Sequence, residues 1–142
     1  MKFKYLTFFL IILLLNSCKS EKEEVKTAAP FEMYETSELA LLMEEFYVYN
    51  QDLKNQIMND DVLAKLPSNF DEIHSAKMTK RFERDENFML FAKMYQENQK
   101  SIYNSSKDSL KTNYNLAIQS CIACHKTACT GPIPRIKKLL IN

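Results

Sequence analysis

The chain has 142 residues, which is enough for one small domain with a single apolar core. Hydrophobic residues make up 46% and charged residues 26%, as in an ordinary globular protein rather than a disordered one. The formal net charge of +1 gives no reason to expect nucleic acid or another strongly charged partner. One glycine and four prolines are too few for a turn-rich β fold, so they favour long helices with few connections.

Residues 1–17 are predicted to be a signal peptide. A basic start, MKFK, precedes the apolar run YLTFFLIILLL, whose 11 residues are too few to span a bilayer comfortably. The following LLNSC resembles a bacterial lipobox, although Asn16 stands where a small residue is usual. This resemblance implies cleavage before Cys18 and attachment of lipid to it, which would hold the chain on a membrane surface. Ordinary secretion with an incidental cysteine is the alternative.

After Cys18, residues 18–35 are predicted to form a charged, flexible tether, and residues 36–142 the folded domain. The domain's first helix is predicted to begin near Ser37, which can serve as its N-cap, and to end at Asn59-Asp60-Asp61. Its inward-facing positions recur at steps of three and four residues: Leu39, Leu42, Met43, Phe46, Asn50, Leu53 and Ile57.

Two further helices are predicted in the middle of the chain. Ser68 or Asn69 can cap a second helix, whose apolar residues are Phe70, Ile73 and Met78. A third helix is predicted from about Glu83 to Tyr103. The mixed charges of residues 77–86 are interpreted as a solvated helix face.

A fourth helix is predicted to begin after Ser106 and to end near Cys129. Gly131, the only glycine in the chain, stands where a left-handed residue would end a helix, and Pro132 prevents continuation. The apolar residues beyond it are predicted to fold back over one end of the domain: Ile133, Ile136, Leu139 and Leu140. Four helices with short connections predict an all-α four-helix bundle.

The fourth helix carries the motif Cys121-Ile122-Ala123-Cys124-His125, and Cys-x-x-Cys-His is the attachment signature of c-type haem. In that chemistry the two thiols add to haem vinyl groups and the histidine ligates the iron. On a helix, residues three and four positions apart share one face, so the three side chains can hold one flat macrocycle. One covalent haem c is therefore predicted on the last helix.

Two other interpretations of these cysteines stay open. An exported compartment permits disulfides, so Cys121 and Cys124 could form a redox pair, although a thioredoxin-like pair follows a strand. A zinc site is the second alternative, because its usual ligand types are present in Cys121, Cys124, His125 and Cys129. Adjacent Cys124 and His125 point in different directions on a helix, which makes a tetrahedral site awkward. The role of Cys129, a small buried side chain or a reactive thiol, also stays open.

A haem motif on the last helix of a four-helix bundle resembles the class II c-type cytochromes, the cytochrome c-prime group, over roughly residues 36–130. IHSAKMTKRF and CHKTACTGPIPRIKKL also look like small cytochrome lipoproteins of Bacteroidetes. The resemblance implies a methionine of the first helix as sixth iron ligand in low-spin members, where Met43 matches, or a five-coordinate iron. His74 is the competing ligand, and Met43 can equally be core filler. The family also implies pairing into a homodimer.

These features predict a membrane-anchored electron carrier with His125 and Met43 as axial ligands, which is not an enzyme. The alternative is a five-coordinate protein that binds or senses a diatomic gas such as nitric oxide. No distal His–Arg pair is evident for a peroxidase. The expected location is the cell envelope, on the periplasmic face of a membrane or the outer-membrane surface, and the redox partner is not identified. Four cations can pair with haem propionates, dock an acidic partner or simply face solvent: Lys126, Arg135, Lys137 and Lys138.

Overall fold

The computed structural model describes residues 35–142, where all regular structure is helical and no strand is present. The all-α prediction is therefore confirmed for this part of the chain. The predicted signal peptide, Cys18 and the tether up to residue 34 lie outside the described residues. The elements are α1 (Glu38–Asn59), a 3₁₀ segment (Phe70–His74), α2 (Glu86–Tyr103), α3 (Lys107–Thr127), α4 (Ile133–Ile136) and a 3₁₀ turn (Lys137–Leu139). Among them, no helix has the length and apolar character that a membrane crossing requires.

Helix α1 has the bounds that its sequence predicts. The Ser37 hydroxyl accepts a hydrogen bond from the Ala40 N–H at 3.3 Å, which satisfies one free donor of the first turn. At the other end Asp60 adopts a left-handed conformation with φ 63°, and its N–H donates to the Gln56 carbonyl. The predicted stripe faces inward, with five fully buried members: Leu39, Leu42, Phe46, Asn50 and Leu53.

The second predicted helix is wrong in length. The chain forms only a single 3₁₀ segment from Phe70 to His74, and residues 77–85 contain no helix. Helix α2 starts at Glu86 because the Asp85 carboxylate accepts from the Phe88 N–H at 2.7 Å, an N-cap that fixes the start. The interpretation of residues 77–86 as a helix face is therefore wrong, whereas the expected exposure is confirmed for six of the charged residues: Lys77, Lys80, Arg81, Glu83, Asp85 and Glu86. The described residues contain three long helices with shorter helical pieces between and after them, and the four-helix bundle stays a prediction.

Two apolar clusters form the interior. The Phe46 cluster lies where α1 and α2 begin, and it consists of Leu39, Leu42, Phe46, Phe70, Ile73, Ala76, Ala92 and Tyr95. The Tyr114 cluster lies towards their other ends, and it consists of Leu53, Ile102, Tyr114, Ala117, Ile118, Ile122, Ile136, Leu139 and Ile141. Cys121 of α3 packs against both clusters. Helices α1 and α2 are therefore parallel to each other, and α3 runs in the opposite direction.

The segment after α3 folds back over the domain, as predicted. The Ile141 N–H donates to the Asn115 side chain at 2.9 Å, and Lys54 of α1 donates to the carbonyls of Lys138 and Leu140 at 2.9 and 2.8 Å. The segment therefore bridges α1 and α3 and completes the Tyr114 cluster.

The left-handed cap predicted at Gly131 is wrong, since Gly131 has no positive φ. Helix α3 ends earlier, at Thr127, where Ala128 leaves the helix with φ −129°. The Thr127 hydroxyl donates to the Cys124 carbonyl at 2.7 Å, which satisfies an acceptor in the last turn without a glycine cap.

A buried polar layer separates the two clusters. Asn50, 2% exposed, donates to the Phe46 carbonyl at 2.7 Å and to the Tyr95 hydroxyl at 2.9 Å. Gln99, 0% exposed, donates to the Asn50 carbonyl oxygen of the side chain, and Tyr114 donates to the Asn50 backbone carbonyl at 2.9 Å. Side chains from α1, α2 and α3 therefore meet in one hydrogen-bonded layer next to Cys121.

Candidate functional site

The Cys-x-x-Cys-His motif lies in the last two turns of α3. The helix is continuous from Lys107 to Thr127, so Cys121, Cys124 and His125 occupy consecutive turns on one side of it. All three side chains are half-buried. Neither motif cysteine is in a disulfide, and Cys129 is free as well. The predicted helical setting of the motif is confirmed, and it brings two thiols and one imidazole to the same helix end.

Cys121 is the innermost of the three. Its thiol donates to the Ala117 carbonyl at 3.5 Å, and its side chain packs against both apolar clusters. Burial, and then the nearby Cys124 thiol, raises the pKa of Cys121 to about 12. At neutral pH this side chain is therefore a neutral thiol.

The surroundings of Cys124 also raise the pKa of its thiol. Burial raises the pKa of the Cys124 thiol, and the carboxylate of Asp85, at the start of α2, raises it further. The carboxyl end of a helix also disfavours an anion, whereas redox dithiols are activated at the opposite, amino end. The site thus lacks the thiolate that a thioredoxin-like pair needs.

His125 is held in one defined tautomer. Its Nδ1 lies 2.8 Å from the Cys129 carbonyl oxygen, and because a carbonyl can only accept, Nδ1 must carry the proton. In the neutral imidazole the lone pair is then on Nε2, which has no hydrogen-bond partner within residues 35–142. An imidazole whose Nδ1–H is bonded to a backbone carbonyl and whose Nε2 is free is the usual state of a metal-binding histidine.

This set of groups matches the chemistry of covalent haem attachment. Two neutral thiols and one free imidazole nitrogen face the same side of a helix end, as a flat macrocycle with two vinyl groups and one iron requires. The zinc alternative would need four ligands in one cluster. Among the described side chains, no group of three or more His, Cys, Asp or Glu residues is arranged to hold a metal ion.

Met43 lies near the motif end of the domain. It is a half-buried residue of α1 that packs against the Phe46 cluster, as do Cys121, Met78 and Phe88. Two methionines from different parts of the chain, Met43 on α1 and Met78 in the irregular segment, therefore border the same apolar cluster as the innermost motif cysteine.

His74 is hydrogen-bonded locally. Its Nε2 lies 2.7 Å from the Oε1 of Gln96, whose amide nitrogen donates to the Asp71 carboxylate at 2.8 Å. The Asp71 bond fixes the amide orientation, so Nε2 donates and the lone pair is on Nδ1. That Nδ1 is buried and has no hydrogen-bond partner. His74 thus keeps one free nitrogen as a competing ligand.

Of the four cations singled out near the motif, Arg135 is engaged elsewhere. It pairs with Glu44 at 2.6 Å and lies over the Tyr47 ring at 3.7 Å from its centroid. Lys126, Lys137 and Lys138 are exposed. Sequence reasoning missed Asp85, directly before α2, whose carboxylate raises the pKa of Cys124. The signal was an acidic residue directly before an apolar-periodic segment, the usual position of an N-cap.

The raised pKa values predict slow alkylation of the motif in the folded, haem-free protein. At pH 8 we expect Cys121 to react with iodoacetamide at least about 100-fold more slowly than in the same chain unfolded by urea, because only the thiolate is nucleophilic. Mass spectrometry of the cysteine peptides over time gives each rate. Equal rates in folded and unfolded chain would contradict the shielded thiol and would favour the redox-pair interpretation.

No protein-family model matches the chain, and comparisons with curated proteins and with solved structures find no match either.

Proposed function

We propose that this protein is a monohaem c-type cytochrome that carries electrons. The single observation behind the proposal is the arrangement at the end of α3, where His125 presents a free Nε2 beside two neutral thiols on one helix face. A redox dithiol requires an environment that lowers a thiol pKa, and burial here raises the pKa of both thiols.

The protein's own groups would act as follows. The thiols of Cys121 and Cys124 would each hold the haem by adding across one vinyl group, with sulfur on one vinyl carbon and hydrogen on the other. The Nε2 of His125 would be an iron ligand, and the Nδ1–H bond to the Cys129 carbonyl orients the ring and raises its basicity. Bound haem would supply reversible one-electron oxidation and reduction at its iron.

Met43 is proposed as the second protein ligand of the iron. Its support is its position on α1, half-buried beside the same cluster as Cys121. A thioether ligand would raise the reduction potential and close the coordination sphere, which suits a carrier rather than a gas-binding protein. We also propose that the haem is held in a four-helix bundle in which the Phe70–His74 segment takes the place of the second helix.

The carrier is further proposed to be held at a membrane surface in the cell envelope. The support is in the sequence alone, where the lipobox-like LLNSC places Cys18 after an apolar run. A lipid anchor followed by a charged tether would keep the domain close to a membrane-bound redox partner. The formal net charge gives no reason to expect nucleic acid.

The absorption spectrum of the mature protein, produced with cytochrome c maturation machinery, tests the proposal. We expect covalent haem, seen by haem staining after denaturing electrophoresis, and a sharp reduced α-band. A broad high-spin spectrum that sharpens with carbon monoxide or nitric oxide would instead favour gas binding. Absence of covalent haem would contradict the proposed function itself.

A further inference from the structure

We propose that Arg84 binds a carboxylate of the haem, one of its two propionates, and so positions the macrocycle against the irregular segment before α2. This inference rests on the proposed function. It concerns a residue outside the motif, in the irregular segment directly before α2.

Arg84 is held in place by backbone acceptors. It is half-buried, and its Nη2 donates to the Ala76 carbonyl at 2.6 Å and, more weakly, to the Ile73 carbonyl at 3.4 Å. The guanidinium also lies over the Phe88 ring, 5.3 Å from the centroid. These contacts join the 3₁₀ segment to the start of α2 and leave the guanidinium plane little freedom.

One donor of this group is left over. The Arg84 Nε is buried and has no hydrogen-bond partner. The described residues also offer this cation no ion pair, whereas Arg135, Lys93 and Lys107 each pair with a carboxylate. A half-buried cation with an unsatisfied N–H is costly unless an anion completes its surroundings. The geometry therefore points to an anionic ligand at this position.

The segment that carries Arg84 borders the motif. Asp85, the next residue, acts electrostatically on the Cys124 thiol. Phe88, beneath the Arg84 guanidinium, packs against the same Phe46 cluster as Cys121. A group bonded to both cysteines would thus lie beside the segment that carries Arg84.

A carboxylate is the anion that fits both the residue and the proposed ligand. Guanidinium N–H groups bind carboxylates in a fixed plane, with stronger, charge-assisted bonds. Haem carries two propionate carboxylates that also need partners when they are removed from water. Because ferric haem carries one more positive charge than ferrous haem, a neighbouring Arg84 cation would destabilise the ferric form and raise the potential.

The test compares Arg84→Gln, Arg84→Lys and, as a matched control, Arg81→Gln in the haem-loaded full-length protein. Arg81 is an exposed cation in the same segment that also lies over a ring, Phe82, at 4.9 Å. Covalent haem content is measured first, followed by the midpoint potential and the resonance Raman bending bands of the propionates. We expect Arg84→Gln to lower the potential and shift one propionate band, Arg84→Lys to restore part of the potential, and Arg81→Gln to change neither beyond a small screened effect.

The outcomes separate this inference from the proposed function. Wild-type protein without covalent haem would overturn both. Haem-loaded Arg84→Gln with wild-type potential and propionate bands would overturn the Arg84 assignment and leave the cytochrome proposal intact. If Arg84→Gln does not fold, Arg84→Lys decides alone, since it keeps the charge but removes the Nε donor; unchanged propionate bands in that variant would overturn the assignment.

Discussion

Replacing Cys121 and Cys124 together by serine is expected to abolish covalent haem attachment completely. Serine keeps the size and the hydrogen-bonding ability of the side chain, but its oxygen does not form the thioether, so the bond to each vinyl carbon is lost. Haem staining after denaturing electrophoresis, with the intact mass of the purified protein, measures the result. The effect is all-or-none, because no other described side chain is placed by α3 to replace both thiols.

Cys129→Ser is the matched control for this variant. Cys129 is also a free, half-buried cysteine, and it lies four residues beyond His125, but it contributes to the motif only through its backbone carbonyl. The control variant should therefore keep full covalent haem. Retention of covalent haem by the double serine variant, or its loss in Cys129→Ser, would contradict the assignment of the two thiols.

Replacing Met43 by alanine is expected to convert a low-spin iron to a high-spin one. The variant removes the thioether sulfur and leaves only a small apolar side chain, so the sixth position is empty or takes water. Loss of the weak far-red methionine–iron band and broadening of the reduced α-band measure the change. We expect the reduction potential to fall as well, since the axial thioether raises it.

Met78→Ala is a close control, because Met78 is a second half-buried methionine beside the same apolar cluster. It should keep the methionine–iron band and lose only packing energy, less than the about 2–5 kcal/mol of a fully buried methionine because Met78 is half-buried. If Met43→Ala keeps the band, Met43 is not the ligand. If only His74→Ala changes the spectrum, the second iron ligand is His74, whose Nδ1 is buried without a partner.

The long helices were predictable because their evidence is local and repeated. In α1 the apolar stripe, the Ser37 cap and the break at Asp60 agree with one another, and the structure places each as expected. Residues 77–85 were not predictable in the same way. Their conformation depends on where Arg84 finds the carbonyls of Ile73 and Ala76, contacts across 11 and 8 residues that no periodicity encodes.

In the candidate site, too, the features set by local spacing were predictable and those set by the course of the chain were not. Cys121, Cys124 and His125 could be found from the sequence, because their chemistry requires fixed spacing on one helix. The tautomer of His125 could not, since it depends on how the chain turns after Thr127 and directs the Cys129 carbonyl. Gly131 was a misleading signal, because a glycine after a helix need not take the left-handed conformation when the helix has already ended.

The polar layer between the two clusters fixes the alignment of the helices, whereas the apolar clusters supply most of the stability. Apolar contacts are tolerant, so helices that slid by one turn could still bury leucine against isoleucine at moderate cost. Asn50, Gln99 and Tyr114 are not tolerant, because the same slip would leave several buried donors and acceptors unpaired. Exchanging Asn50 alone for leucine would remove the acceptor of the buried Gln99 amide and the donor to the Tyr95 hydroxyl, so we expect it to lower the free energy of unfolding as well as to admit alternative alignments of α1.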